Sequence, residues 1–329
     1  MVDIAEINEK IKEKSSFVSV LKNEVKKRVV GQNYMIDRIL IALFTDGHIL
    51  LEGVPGLAKT LTVNTIAEAI NLSFKRIQFT PDLLPADLTG SLIFDSKSGD
   101  FYPKKGPIFT NILLADEVNR APAKVQSAML ESMQEKQVTL GNESHKLPSP
   151  FFVLATQNPI EQEGTYPLPE AQTDRFMLKI KVDYPTLGEE KKIMEMYGKS
   201  NNIQINKIIK PEDIMEVGKT IDEIYVDDGI KDYILRIVFA TRKPEEYKLL
   251  FDLKQYIDFG ASPRASLYLL KGAKALAFLK GRGFVTPDDI KEIAYDVLRH
   301  RIILSFEAEA EELSTEDIIK EILSNIEVP

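Results

Sequence analysis

The sequence predicts an α/β protein, with a mainly parallel sheet flanked by helices and then an all-helical domain. Two observations predict it. From Val29 to about Tyr184, short apolar runs alternate with helical patterns, and that alternation builds parallel sheets. After Tyr184-Pro185 strong strand patterns stop and helical periodicity dominates. A domain boundary is therefore expected near residue 185, dividing the chain into 1–184 and 185–329.

Each element has its own signal. Residues 3–28 read as one amphipathic helix, with Ile4, Ile7 and Ile11 at helical spacing and Val18, Leu21 and Val25 continuing the stripe. The strand runs are HILLEG (His48–Gly53), FKRIQF (Phe74–Phe79), NILLADE (Asn111–Glu117), FFVLAT (Phe151–Thr156) and RFMLKIKV (Arg175–Val182). Continuous apolar runs of this length suit strands covered on both faces. Thr60–Ile70 and Pro122–Glu135 read as intervening helices. Thr80–Thr110 interrupts the alternation, with Pro81, Pro85 and a hairpin expected at Ser98-Gly99 between Ile93-Phe94 and Phe101-Tyr102. Gln137–Leu147 reads as a second hairpin turning at Gly141-Asn142. In the last third, Thr286-Pro287-Asp288-Asp289 supplies a capping Thr, a first-turn Pro and two acids that favour the positive helix start. A final helix follows Leu313-Ser314-Thr315, with Ile319, Ile322, Leu323 and Ile326 on one face.

Composition narrows the function. Of 329 residues, 44% are hydrophobic and 28% charged, as in ordinary globular proteins. Cysteine is absent and there are three histidines, His48, His145 and His300, far apart in sequence. A disulfide framework, thiolate chemistry and a His-rich metal site are not expected. A net charge of -8 argues against a sequence-independent grip on nucleic acid. No apolar run approaches the ~18 residues that span a bilayer, and MVDIAEINEK has no apolar signal segment. A cytoplasmic protein with no direct membrane insertion is the expectation.

The run HILLE leads into Gly53-Val54-Pro55-Gly56-Leu57-Ala58-Lys59-Thr60, with Leu61 just inside the helix that follows. Strand, glycine-rich turn and helix start, in that order, suit phosphate, because backbone N–H groups and the positive helix end hold its oxygens. Lys59 is placed to reach β- and γ-phosphates and the Thr60 hydroxyl to bind Mg²⁺. The usual pattern has Gly before the Lys. Ala58 fits there if the position already has helical dihedrals. Farther on, the apolar Ile112-Leu113-Leu114-Ala115 ends in Asp116-Glu117. Asp116 is read as a Mg²⁺ ligand, directly or through water. Glu117 is read as the base that orients and deprotonates the attacking water, a role worth about 10²–10⁴ in rate. The strand FFVLAT delivers Gln157-Asn158-Pro159, where the Asn158 amide can position the same water or sense the γ-phosphate; a plain turn Asn before Pro is the alternative.

These pieces resemble AAA+ ATPases, and several strings are similar to the MoxR family: GVPGLAKT, PDLLPADLTG, LLADEVNRAPAKVQSAMLESMQE, ATQNP, PLPEAQTDRF and GASPRA. The resemblance implies an AAA+ P-loop core with a C-terminal helical lid, and Ala before the Lys is expected there. It implies roles residue by residue. Asn158 matches the first sensor, Arg175 in TDRF the arginine finger that enters a neighbouring subunit's site, and Arg264 in SPR the second sensor on the lid. Gly31-Gln32 matches the segment bordering the adenine pocket. Two of these have separate physical support. Arg175 precedes an apolar strand and needs an anionic partner there, with a bridge to Asp174 as the local alternative. Arg264 lies in the first turn of a helix that Ser262 caps and Pro263 begins, where a cation opposes the helix dipole unless an anion binds nearby. Arg120 suits either a bridge between subunits or a structural ion pair.

The resemblance further implies ATP and Mg²⁺ as substrate and cofactor, a homo-oligomeric ring of six, and chaperone-like remodelling or maturation of client proteins with a von Willebrand A-domain partner. It marks 80–110 as an insert, of the kind that related motors aim at the central pore toward a client; plain surface hairpins are the alternative. The nearest rival is a magnesium-chelatase-type ATPase subunit. A small-molecule kinase on the same phosphate loop would need no Arg175 from a neighbour, and a nucleotide-gated scaffold would bind without turnover. A GTP switch is disfavoured because no NKxD-type string is present.

Overall fold

A computed structural model describes residues 4–54, 56–158, 166–198 and 203–329. Pro55 of the phosphate loop and Pro159 after Asn158 lie outside the described residues. By contact the chain divides into two compact units. One holds the chain up to Ser16, Phe176–Lys179 and Glu216–Pro329; the other holds Phe17–Arg175 and Ile180–Met215. The chain crosses between these units more than once.

The sheet strands are β1 (Ile49–Glu52), β2 (Phe74–Gln78), β5 (Ile112–Asp116), β8 (Phe152–Gln157) and β9 (Leu178–Lys181), in the order β2-β5-β8-β1-β9; the first four named lie in the second unit, and β9 is divided between the two after Lys179. They coincide with the apolar runs of the sequence. Pairings β1–β8, β2–β5 and β5–β8 are parallel, and Ile112, Leu113, Leu114 and Ala115 of β5 are completely buried. β2 departs from expectation: it is the sheet edge, and Lys75, Arg76 and Gln78 are exposed. Its polar alternation fits an edge strand better than a strand covered on both faces.

The helices Lys59–Ala69 and Ala123–Glu135 follow β1 and β5. Between β2 and β5 the insert forms a hairpin, β3 (Gly90–Phe94) against β4 (Phe101–Lys105), antiparallel. Leu92, Phe94, Phe101 and Tyr102 of that hairpin are exposed. A second hairpin, β6 (Gln137–Leu140) and β7 (Glu143–Lys146), turns at Gly141 with φ 63°. The single N-terminal helix expected over 3–28 is two helices, Ile4–Lys14 and Ser16–Lys26. The break is at Ser15, whose hydroxyl donates to the Lys12 carbonyl; such local bonds compete with helix continuation.

The other unit is mainly helical: Asp228–Arg242, Pro263–Leu279, Pro287–Leu298, Phe306–Ala310 and Thr315–Asn325. The apolar stripe of the last helix is buried as its spacing predicts, at Ile319, Ile322, Leu323 and Ile326. A small antiparallel pair, β10 (Ile257–Phe259) and β11 (Ile303–Leu304), interrupts the helices and was not evident from periodicity. Among the described residues no helix is long and apolar enough to cross a membrane.

Candidate functional site

In parallel sheets the crevice at the carboxyl ends of the strands is where ligands bind. Here β1, β5 and β8 end around a cavity of about 380 Å³. Gly53, Gly56, Leu57, Ala58, Lys59, Thr60 and Leu61 line one side, and Asp116, Glu117, Thr156, Asn158 and Arg76 the other. The phosphate-loop residues and the strand-end carboxylates therefore share one space.

The loop leaves β1 through Gly56 at φ 88°, with open space where a Cβ would stand. Ala58 follows with φ 55° and ψ 22° and precedes the helix Lys59–Ala69 with no side-chain cap. The expectation of helical dihedrals at Ala58 is overturned: the residue is left-handed, a conformation that costs a residue with a Cβ about 1–2 kcal/mol. The first helical N–H groups lack intrahelical partners by geometry, so the start is open to an anion. The half-buried Lys59 donates from Nζ to the Gly53 carbonyl at 2.7 Å. Burial pushes its pKa down, while Asp116 and Glu117 pull it up.

Thr156, at the end of β8, joins the two carboxylates. Its hydroxyl donates to Asp116 Oδ1 at 2.7 Å, and its Oγ1 accepts the Glu117 N–H at 2.9 Å. Asp116 Oδ2 accepts from Arg76 Nε at 2.7 Å. Glu117 Oε2 accepts from Gln78 Nε2 at 2.6 Å and Arg120 Nη1 at 3.0 Å. Glu117 is itself left-handed, with φ 55°. Behind it, the fully buried Gln126 donates from Nε2 to the carbonyls of Val118, Ala121 and Tyr166, fastening the turn that follows Glu117. Arg120 thus pairs within its own chain.

The donor set fits a nucleotide with its divalent cation. Thr60 and Asp116 offer oxygen ligands, which Mg²⁺ prefers, while Lys59 and the open helix start suit phosphate. Asn158 is buried on the same wall. Val54, Gly31 and Gln32 do not line this cavity. Gly31, at φ 69°, lines a separate hollow of about 590 Å³ with Val29, Val30, Asn33 and Glu189, and a Cβ there would meet Glu189 Oε1 at 2.6 Å. Gln32 is left-handed at φ 55° and precedes the helix Asn33–Phe44. Arg175 lines a third hollow, with Glu131, Gln134, Glu135 and Gln172. Arg264 lies in the mainly helical unit, in the first turn of Pro263–Leu279, and its N–H donates to the capping Ser262.

Sequence reasoning missed Arg76, Gln78 and Thr156. A signal existed for the first two: in FKRIQ they stand two apart, hence on one strand face. Nothing in the sequence assigned β2 to the strand beside β5.

Residues 48–178 match the family described as "ATPase family associated with various cellular activities (AAA)", and 252–322 match the "AAA lid domain". Over 306 residues, 93% of this chain and 81% of the relative, the sequence is 48% identical to Chaperone MoxR1 of Mycobacterium tuberculosis. It is 44% identical to YeaC of Bacillus subtilis, covering 93% and 92% of the two chains. The crystal structure of a candidate ATPase from Cytophaga hutchinsonii matches with TM-score 0.92 at 53% identity, over 99% of this chain and 98% of that one.

Proposed function

The chain belongs to the MoxR family of AAA+ ATPases, and from that premise we propose a magnesium-dependent ATP hydrolase that works as a ring, a hexamer, in chaperone-like remodelling or maturation of client proteins. The observation that carries the reading is the single cavity lined by Lys59, Thr60, Asp116 and Glu117. The chaperone role is supported by the name of the 48% identical relative. A von Willebrand A-domain partner and a cytoplasmic setting belong to the same proposal. The exposed Leu92, Phe94, Phe101 and Tyr102 of the β3–β4 hairpin supply an apolar surface for a client.

In this reading residues 1–184 are the ATPase domain and 185–329 the lid. Lys59 and the open helix start bind the phosphates, together with Gly53, Val54, Pro55, Gly56, Leu57, Ala58 and Leu61 of the loop. Thr60 and Asp116 would hold Mg²⁺, which would supply charge neutralisation at the phosphate oxygens. Glu117 accepts the proton of the attacking water, which Asn158 helps to position. Gly31 and Gln32 border the adenine. Arg264 senses the nucleotide from the lid, and Arg175 acts in the neighbouring subunit's site. An arginine supplied across subunits contributes about 10³–10⁵ in rate.

The test is ATPase rate against protein concentration for the native chain and for Arg175→Ala. Activity per chain should fall on dilution of the native protein, and the variant should be about 10³-fold slower than the assembled native protein, with little dependence on concentration. A monomeric kinase-like enzyme would keep constant activity per chain. Full activity of Arg175→Ala at all concentrations would eliminate the shared site.

A further inference from the structure

Asp116 is already engaged. Its Oδ1 accepts from Thr156, and its Oδ2 accepts from Arg76 Nε at 2.7 Å and lies 2.6 Å from Nη2. Two nitrogens of one guanidinium close on one carboxylate oxygen, a strong charge-assisted arrangement. We propose that Arg76 is a built-in cation that occupies Asp116 until the divalent cation of the nucleotide displaces it, and that it thereby sets the cation concentration at which nucleotide is held. This rests on the reading of Asp116 as a cation ligand.

The burial of the two groups argues for exchange over a permanent bridge. The Asp116 side chain is 13% exposed and that of Arg76 is 51% exposed. A carboxylate this covered needs a positive partner at all times. Arg76 sits on the sheet edge and can swing its head into water at little cost. Its other hydrogen bond among the described residues is a long one, 3.3 Å, to Gln78 Oε1. Lys59, the other cation of the cavity, rests on the Gly53 carbonyl, so the direct ion pair at Asp116 falls to Arg76. A cation arriving at Asp116 must take Oδ2 from the guanidinium or Oδ1 from the Thr156 hydroxyl. The guanidinium is the partner with somewhere to go.

The experiment is the binding of a fluorescent ADP analogue to the full chain, titrated with Mg²⁺, for the native protein, Arg76→Gln, Arg76→Lys and Asp116→Asn. Arg76→Gln should lower the Mg²⁺ midpoint about threefold or more, the scale of a partly exposed ion pair. Arg76→Lys keeps the charge and loses the fork, and should give a smaller shift in the same direction. Asp116→Asn should abolish the Mg²⁺ response. An unmoved midpoint in Arg76→Gln, with the Asp116→Asn response lost, overturns the latch alone. A shift in Arg76→Gln with none in Arg76→Lys also overturns it, because a distant charge would then suffice. A native Mg²⁺ response in Asp116→Asn removes the cation reading and the latch with it. If thermal unfolding reveals a damaged Arg76→Gln, the Arg76→Lys midpoint decides.

Discussion

The helices of the two units begin differently. In the mainly helical unit, Asp227 accepts the Gly229 N–H, Ser262 the Arg264 N–H, Ser305 the Ala308 N–H and Ser314 the Asp317 N–H. At Pro287–Leu298 the Asp289 carboxylate reaches back to the Thr286 N–H and hydroxyl. In the sheet unit the helix Lys59–Ala69 begins at left-handed Ala58 with no side-chain cap. Asn33–Phe44, which follows left-handed Gln32, and Ala123–Glu135 also lack a side-chain cap, whereas Thr186 accepts the Glu189 N–H and caps Leu187–Tyr197. Strain divides the same way. Among the described residues, the non-glycine residues at positive φ are Gln32, Asp46, Ala58, Asn71, Glu117 and Lys136 in the sheet unit, against Glu312 in the other. A helix start left open, beside two strained residues facing a cavity, marks the place where a ligand completes the structure.

If strain and openness serve chemistry, site changes should alter rate far more than stability. Glu117→Gln should lower turnover about 10²–10⁴-fold, with nucleotide binding and the unfolding midpoint close to native. Phosphate release and urea denaturation measure the two sides; undiminished turnover would break the assignment. The helical unit should respond in the opposite sense. Arg282 spans the fully buried Asp289, with Nη1 to Oδ2 at 2.7 Å and Nη2 to Oδ1 at 2.8 Å. Arg282→Met leaves that carboxylate to Lys280 and Thr286, and should cost about 3 kcal/mol of stability. A variant as stable as the native chain would show that the pair is not what supports the helical unit.

The buried histidines sharpen the comparison. In the sheet unit His48 is neutral and satisfied on both sides: Nδ1 accepts the Val153 N–H at 3.1 Å, and Nε2 lies 3.2 Å from the Met133 carbonyl. Burial pushes its pKa from 6.5 down to about 4. Protonation would need Nδ1, which is already accepting. Between those two pH values the unfolded chain binds a proton that the folded chain refuses. The stabilisation is therefore complete above pH 6.5 and falls by about 3 kcal/mol as pH drops to 4. His300, in the other unit, has Nε2 on the Phe176 carbonyl and, among the described residues, no hydrogen-bond partner for Nδ1. Burial first, and then the Arg301 charge, push it well below its usual value, giving the same sign. Denaturation across pH 7 to 4 should have a shallower slope in His48→Gln than in the native chain. An identical slope would mean that His48 takes up its proton without unfolding.

Much of this was legible beforehand because it follows from local pattern. All five sheet strands stand where apolar runs stand, both hairpins turn at their glycines, and Ser262-Pro263 begins a helix as read. The cavity wall formed by Lys59, Thr60, Asp116, Glu117 and Asn158 followed from strand ends converging. What was not legible depends on which strands become neighbours. Arg76 reaches Asp116 only because β2 pairs with β5, in a register that sets Gln78 beside Asp116. Thr156 closes the pair of carboxylates only because β8 is the strand on the other side of β5. The break at Ser15 was hidden for another reason: the apolar stripe continues across it, and periodicity does not detect one hydroxyl bonding back to the chain.

The smallest expected effect is the most direct measure of the strain. In a right-handed helical position, replacing Ala by Gly destabilises by about 1 kcal/mol, because Gly has more freedom to lose on folding. In the left-handed region the sign reverses. Relief of the Cβ clash, about 1–2 kcal/mol, exceeds the entropy term of about 0.5–1 kcal/mol. Ala58 has φ 55°, so Ala58→Gly should stabilise the nucleotide-free chain by about 0.5–1 kcal/mol in urea denaturation. The two hypotheses differ in sign and not only in size, so a modest measurement separates them. Destabilisation by about 1 kcal/mol would place Ala58 in the ordinary helical region, and the contrast between an open, strained helix start and the capped starts of the other unit would lose its sharpest instance.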